Sequence, residues 1–171
     1  RFVLLRDLGS ALSPSNAFNF IQGLETLPIR YKKHQDNAEK VADFLTGKKN
    51  VNRVIHPKYS LGLNKERAKK YLEDGNGPLV GFELDGGIEA GKTFIDSLEL
   101  IYHVANIGDA RSLAIHPAST THSQLSTEDQ LRAGVTPGYI RLSVGIEHID
   151  DIINDIDQAI NKAQDKVKNV A

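Results

Sequence analysis

Apolar and polar positions follow two different periods along this chain, and the longest regular pattern lies near the C-terminal end. There, apolar residues recur at the three- and four-residue spacing of a helix that buries one face. Aspartates stand early in this segment and lysines late, which suits the helix dipole. The apolar stripe consists of Ile149, Ile152, Ile153, Ile156, Ile160, Ala163 and Val167. We therefore predict a long helix packed on the core.

Helical spacing and end signals predict further helices upstream. Ser13 can cap a helix whose first position is Pro14, because proline lacks the N–H that would go unpaired there. A second helix follows apolar positions between Leu27 and Leu45 and stops at Gly47. The shorter predicted helices cover 65–72 after an Asn64 cap, 88–98, and the residues after the Ser126 cap.

Runs of alternating or β-branched residues predict four strands. These strands are Val51–Ile55, Leu79–Leu84, Leu100–Val104 and Gly138–Val144. The segment 106–124 has little periodicity and many polar groups, which is typical of a long functional loop. The order of elements favours an α/β fold, a two-layer sandwich in which helices cover one face of a small sheet. We expect the other face or an edge to pack on a further part of a longer protein.

Composition limits the function classes. The 171 residues suit one domain, and 21 basic against 22 acidic residues give a net charge of −1, which argues against nucleic-acid and anionic-membrane partners. The absence of cysteine excludes disulfides and thiolate chemistry. No apolar run reaches the roughly 18 residues of a membrane span, so we expect a cytoplasmic protein. A chain that starts at Arg1 and contains no methionine is expected to be a fragment of a longer one.

Arg141 is the clearest candidate for binding chemistry. Alternation in its strand places Ile140, Leu142 and Val144 on one face and Arg141 on the opposite face. A guanidinium offers two parallel donors that match a carboxylate or a phosphate. Strand spacing by itself nevertheless favours an ordinary surface salt bridge.

The polar segment 106–124 contains groups that also occur in metal sites and hydrolases. The candidates are His116 and His122, with Ser119 and Asp109 nearby. Their spacing is not that of a helical histidine pair, and the chain has neither a Gly-x-Ser-x-Gly motif nor a glycine-rich phosphate loop before a helix. We therefore expect loop histidines that hydrogen-bond the backbone, and we assign no metal ligand.

Four separated strings carry a family resemblance over most of the chain, from about Gly9 to Ala163. They are LSPSNAF, GLETLPIRYKKHQDNAEKVADFL, NIGDARSLAIHPASTTHSQL and GYIRLSVGIEHIDDIINDIDQA. Together they resemble the C-terminal part of the pyridoxal-phosphate enzymes of methionine and cysteine metabolism. Within that family, the context of Asn106 is most similar to the O-acetylhomoserine sulfhydrylases. Cystathionine γ-synthase, cystathionine γ-lyase and methionine γ-lyase remain close alternatives.

The resemblance implies a domain arrangement. Residues 13–171 would form the small C-terminal domain of a fold-type I pyridoxal-phosphate transferase, and residues 1–12 would be the remnant of its connection to a large domain. In such enzymes the large domain holds the cofactor and the Schiff-base lysine, and no motif for either occurs in this chain. We therefore assign no catalytic and no cofactor-binding residue here, and expect no pyridoxal phosphate on this chain alone.

The resemblance also reverses the interpretation of Arg141. The family's arginine that clamps the substrate α-carboxylate corresponds to Arg141, and a second carboxylate contact, usually serine, corresponds to Asn106. The implied reaction is γ-replacement, in which sulfide displaces acetate from O-acetylhomoserine, within a cytoplasmic homotetramer. A non-catalytic ligand-binding module is the alternative. We expect the chain to fold alone as a monomer or weak dimer, with the face of Tyr139, Arg141 and Ser143 exposed.

Overall fold

The computed structural model describes residues 8–9 and 11–170, in which helices and strands alternate. The helices are α1 (Pro14–Glu25), α2 (Leu27–Thr46), α3 (Gly62–Tyr71), α4 (Gly87–Ser97), α5 (Thr127–Arg132) and α6 (Ile149–Val170). The strands are β1 (Val51–Ile55), β2 (Leu79–Leu84), β3 (Tyr102–His103), β4 (Leu113–Ile115) and β5 (Tyr139–Ser143). Short 3₁₀ turns cover Pro57–Tyr59 and Pro117–Ser119.

The five strands form one mixed sheet in the order β1-β2-β5-β4-β3. β5 lies in the middle and pairs antiparallel with both β2 and β4. β1 is antiparallel to β2, whereas β3 runs parallel to β4. The predicted α/β class is confirmed, with the helices α2 and α4 packed on the sheet and α6 packed against both of these helices.

One face of the sheet carries the core. Register places Phe82 opposite Ile140 and Val80 opposite Leu142, so these side chains point to the same face. All four are at most 1% exposed. Phe94 of α4 packs edge-on against Phe82, with ring centroids 5.4 Å apart. Each such buried side chain contributes on the order of 1.5 to 3 kcal/mol through removal of apolar surface from water.

The strand predictions were wrong at two points, since one strand was missed and another was predicted too long. Strand β4, Leu113–Ile115, lies inside the segment expected to be irregular; all three of its residues are buried, so no alternation marked it. Strand β3 covers only Tyr102–His103 rather than Leu100–Val104. It starts late because the N–H groups of Leu100 and Ile101 donate to the Asp155 carboxylate instead of to a neighbouring strand.

The predicted helix ends are confirmed in part. Ser13 and Ser126 cap their helices, each hydroxyl accepting a backbone N–H at 3.2 Å. The Asn64 cap was wrong, because α3 begins earlier, at Gly62, and its cap residue Leu61 makes no side-chain hydrogen bond. Within the described part of the chain, no helix combines the length and the apolar character needed to cross a membrane.

Asp155 is a buried carboxylate that organises the loop between α4 and β3. Its oxygens accept the N–H groups of Glu99, Leu100 and Ile101 at 2.9, 3.0 and 2.9 Å. The Gln158 amide donates to the same carboxylate at 3.0 Å. Because backbone N–H groups away from water need acceptors, this one side chain on α6 replaces the missing strand partner of the loop.

We expect Asp155→Ala to lower the free energy of unfolding by about 3 kcal/mol or more, because it leaves three backbone donors without their charged acceptor. Asp155→Asn should cost less, since the amide keeps one accepting oxygen. Asp165→Asn, an exposed change on the same helix, is the matched control. Urea denaturation of the three variants checks this; equal stability of Asp155→Ala and the control would contradict it.

Candidate functional site

The face of the sheet opposite the core carries a groove of about 620 Å³. Its floor comes from β1, β2 and β5, and its rim from the segment that follows β1. The lining includes Arg53, Ile55, Gly81, Tyr139 and Arg141 from the strands, and Tyr59, Ser60, Leu61 and Asn64 from the rim. Two guanidinium groups in one groove suit an anionic ligand.

Arg141 lies on this face, as its strand pattern predicts. Its neighbours across the sheet are Gly81 on β2 and Ile115 on β4. The side chain is half-buried, and its Nε is buried with no hydrogen-bond partner. Among the described residues, no carboxylate comes within 4.0 Å of its guanidinium, so the surface salt bridge that spacing favours does not form there.

The phenol of Tyr139 lies across β2 because residue 81 is glycine. A Cβ on Gly81 would stand 2.8 Å from both Cε2 and Oη of Tyr139, and 3.2 Å from the Cβ of Ile55. Burial raises the pKa of Tyr139, and the nearby charges of Arg141 and Arg53 oppose that rise. The phenol therefore forms a wall of the groove close to both cations.

Ser143 corrects the expectation that this whole face is exposed. Tyr139 and Arg141 are half-buried, but Ser143 is only 2% exposed. Its hydroxyl accepts the N–H of Gly108 at 3.2 Å, so the loop between β3 and β4 covers this end of the strand. The positive φ of Gly108, 81°, lets the loop turn at that contact.

Asn106 lies in the same loop and is exposed. Its side-chain oxygen accepts the N–H of Ile107 at 2.8 Å. Further along the loop, the Arg111 guanidinium stacks 4.9 Å from the centre of the Tyr102 ring and pairs with Asp109 at 3.6 Å. The structure thus brings the loop that carries Asn106 onto the strand that carries Arg141, with the Gly108–Ser143 hydrogen bond as the point of contact.

The histidines of the polar segment do not assemble a catalytic group. The buried His116 donates from Nε2 to the Pro137 carbonyl at 2.7 Å, and its Nδ1 accepts the Ser119 hydroxyl at 2.8 Å. Burial lowers the pKa of His116, while the Pro137 carbonyl works against that shift. The ring of half-buried His122 hydrogen-bonds the Thr121 hydroxyl and no other described residue. The prediction of a loop histidine bonded to backbone is confirmed for His116, and over residues 8–9 and 11–170 no three metal-ligating side chains gather.

Sequence reasoning missed three residues that shape this region: Gly81, Ser112 and Glu147. Gly81 makes room for Tyr139, and the Glu147 carboxylate accepts both the N–H and the hydroxyl of Ser112. The interior glycine of a half-buried strand could have signalled a close approach at position 81. The Ser112–Glu147 pair joins segments far apart in sequence and left no local signal.

The comparisons with known proteins point to one enzyme family over nearly the whole chain. Residues 2–161 match the model of a family described as Cys/Met metabolism PLP-dependent enzyme. An O-acetyl-L-homoserine sulfhydrylase of Leptospira meyeri is 56% identical over 157 residues, which cover 91% of this chain and 36% of that protein. An L-methionine gamma-lyase of Fusobacterium nucleatum is 42% identical, over 95% of this chain and 41% of that protein.

A solved structure shares the fold. A protein of Campylobacter jejuni, named an O-acetylhomoserine (thiol)-lyase, matches with a TM-score of 0.83 and 45% identity. The match covers 94% of this chain and 38% of that one, whose structure contains N'-pyridoxyl-lysine-5'-monophosphate. The present chain thus spans well under half the length of the relatives it matches.

We expect Gly81→Ala to lower the free energy of unfolding by about 1 to 3 kcal/mol, because the new methyl overlaps Tyr139. Adding Tyr139→Ala should recover part of that loss by removing the overlapped ring. Gly47→Ala is the control, since its nearest neighbour stands at an ordinary 3.6 Å. Urea denaturation measures all three; a Gly81→Ala chain as stable as the control would argue against the packing described.

Proposed function

We propose a function on the premise that this chain belongs to the family of Cys/Met metabolism PLP-dependent enzymes. In this proposal the chain is the substrate-carboxylate-binding part of an O-acetylhomoserine sulfhydrylase. The relatives named as such sulfhydrylases include the Leptospira protein and one from Thermus thermophilus that is 46% identical. Residues 13–171 would form its small C-terminal domain, and residues 1–12 the connection to a larger one.

The observation that carries the proposal is the guanidinium of Arg141, which has no carboxylate partner among the described residues. It lies half-buried in a groove, with a buried Nε that has no hydrogen-bond partner and no described carboxylate within 4.0 Å. A desolvated donor without a partner costs free energy, which a ligand carboxylate would recover. The proposed role of Arg141 is therefore to bind the α-carboxylate of the amino-acid substrate and fix its orientation.

Asn106 is the proposed second contact to the same carboxylate. Its loop is held on β5 by the hydrogen bond from Gly108 to Ser143, on the face that carries Arg141. The side-chain oxygen of Asn106 accepts the Ile107 N–H, which leaves the two Nδ2–H groups as donors toward a ligand. An amide donor beside a guanidinium would complement a carboxylate from a second direction.

The groove residues do not fit the cofactor itself. Pyridoxal phosphate is held in such enzymes through a lysine, and none of the residues that line the groove is a lysine. In this proposal the side chains of the groove therefore do not bind the cofactor. The large remainder found in the relatives is the proposed place of cofactor binding.

The proposed overall reaction is a replacement at Cγ of O-acetylhomoserine. A C–S bond forms from an electron pair of the hydrosulfide ion, HS⁻, the Cγ–O bond breaks, and acetate leaves with the bonding pair to give homocysteine. Arg141 and Asn106 transfer no proton in this scheme. They hold the amino acid in one orientation relative to the reacting groups, which is catalysis by positioning.

A γ-elimination enzyme is the second candidate function. The observation in its favour is the 42% identity to an L-methionine gamma-lyase over most of the chain. The sulfhydrylases of Leptospira and Thermus are more similar, at 56% and 46%. Assays of the assembled enzyme with O-acetylhomoserine plus sulfide, and with methionine alone, separate the two candidates.

We expect Arg141→Ala in the assembled enzyme to lower kcat/KM for O-acetylhomoserine by about tenfold to a hundredfold, because a charge-assisted hydrogen bond contributes on the order of 1.5 to 3 kcal/mol. Arg141→Lys should rescue little, since a point charge replaces two parallel donors. Steady-state kinetics and thermal unfolding are measured together. Unchanged kcat/KM in both variants, with only a stability loss, would remove Arg141 from the site.

We expect the chain of residues 1–171 alone, mixed with pyridoxal phosphate, to show no visible absorbance from a lysine-linked cofactor and no sulfhydrylase activity. The reason is that its groove offers no lysine. A full-length enzyme of the family, treated in parallel, is the positive control. A band that borohydride reduction abolishes, traced to a lysine of this chain, would refute the expectation.

A further inference from the structure

A compact polar network joins the loop of Asn106 to the end of strand β5. The N–H of Ser112 donates to one Glu147 carboxylate oxygen at 2.6 Å, and the Ser112 hydroxyl donates to the other at 2.9 Å. The same hydroxyl oxygen accepts the N–H of Gly145 at 2.8 Å. Ser112 closes the loop, and Glu147 lies in the turn after β5, so these bonds fasten the two segments to each other.

The turn after β5 is also hydrogen-bonded to helix α2. The Asn37 amide donates to the carbonyl oxygens of Gly145 and Glu147, both at 2.9 Å. His34 donates from Nδ1 to the Val144 carbonyl at 2.7 Å. Both side chains are at most 3% exposed. The Glu147 carboxylate therefore projects from a backbone that the helix holds in place.

The network leaves no room for a side chain at position 145. A Cβ on Gly145 would stand 2.2 Å from a Glu147 carboxylate oxygen, 2.4 Å from the Ser112 nitrogen and 2.6 Å from the Ala110 carbonyl oxygen. The Ile146 N–H donates to that same Ala110 oxygen at 2.9 Å. Such close packing means that the loop cannot shift along β5 without breaking several hydrogen bonds together.

We propose that Glu147 and Ser112 are positioning residues for substrate binding. The inference rests on the proposed function, in which Asn106 and Arg141 contact one carboxylate. Asn106 precedes Ser112 in the loop, and Arg141 precedes Glu147 in the strand and turn. The Ser112–Glu147 pair therefore sets the distance between the two carboxylate contacts while touching no reacting atom.

The chemistry of the pair predicts which substitutions weaken it. Glu147→Gln keeps the size of the side chain and one oxygen for the Ser112 N–H, but its amide nitrogen can no longer accept from the Ser112 hydroxyl. Ser112→Ala removes that hydroxyl and leaves the Gly145 N–H without its acceptor. Both changes loosen the loop against β5 without adding volume.

The test is steady-state kinetics of Glu147→Gln and Ser112→Ala in the assembled enzyme. We expect KM for O-acetylhomoserine to rise on the order of tenfold to a hundredfold, as for a carboxylate contact displaced by about 1 Å. We expect kcat and the KM for sulfide to change less than about threefold, because the reacting groups are untouched. Glu99→Gln, which loses only an exposed ion pair with Lys162, is the matched control.

A double-mutant cycle distinguishes this inference from the proposed function. If Glu147 acts through the carboxylate contacts, Glu147→Gln should add less than about twofold to KM in an Arg141→Ala background. An enzyme in which Arg141→Ala leaves kcat/KM for O-acetylhomoserine unchanged contradicts the proposed function itself. A normal effect of Arg141→Ala with unchanged KM in both network variants overturns only this inference, as does failure of both variants to fold.

Discussion

Strand β5 sets the constraint on which the rest of the structure depends. It is paired on both sides, by β2 and β4, so its register is fixed from two directions. Burial of Ile140 and Leu142 among the helices then forces Arg141 onto the opposite face. A slip of one residue would exchange the two faces and place a guanidinium in the apolar core. The packing energy of the core therefore also determines where the candidate binding group lies.

The groove around Arg141 exists because the sheet is covered unequally. Helices fill one face, whereas on the other face, in the described part of the chain, the loop of Gly108 covers the end near Ser143 and the segment after β1 forms the rim of the groove. Because residue 81 is glycine, no side chain projects there from β2 into the groove, and the phenol of Tyr139 occupies that space beside the guanidinium. A half-buried Arg141 with no carboxylate partner among the described residues stabilises the fold little, and such departures from good polar pairing are typical of binding sites.

Two carboxylates perform the same physical task at one end of the sheet, where the parallel strands β3 and β4 begin. Asp155 accepts the N–H groups of a loop that has no strand partner there, and Glu147 accepts the N–H and hydroxyl of Ser112. In each case one acidic side chain replaces the hydrogen bonds that regular secondary structure would supply. Asp155 shapes the entry to β3, whereas Glu147 shapes the loop next to the groove. Of the two, Glu147 is the one bonded to the loop of Asn106, the proposed second carboxylate contact.

The sequence by itself determined those features that repeat with a local period. The stripe from Ile149 to Val167, the ends of β1 and β2, and the outward face of Arg141 all follow from patterns a few residues long. The quoted motifs also indicated the family. Only the tertiary structure decided that Leu113–Ile115 is a strand, because three residues buried on both faces carry no alternation. It alone decided that Gly81 admits Tyr139 and that Glu147 binds Ser112, because these contacts join segments far apart along the chain, and their geometry exists only once the sheet has formed.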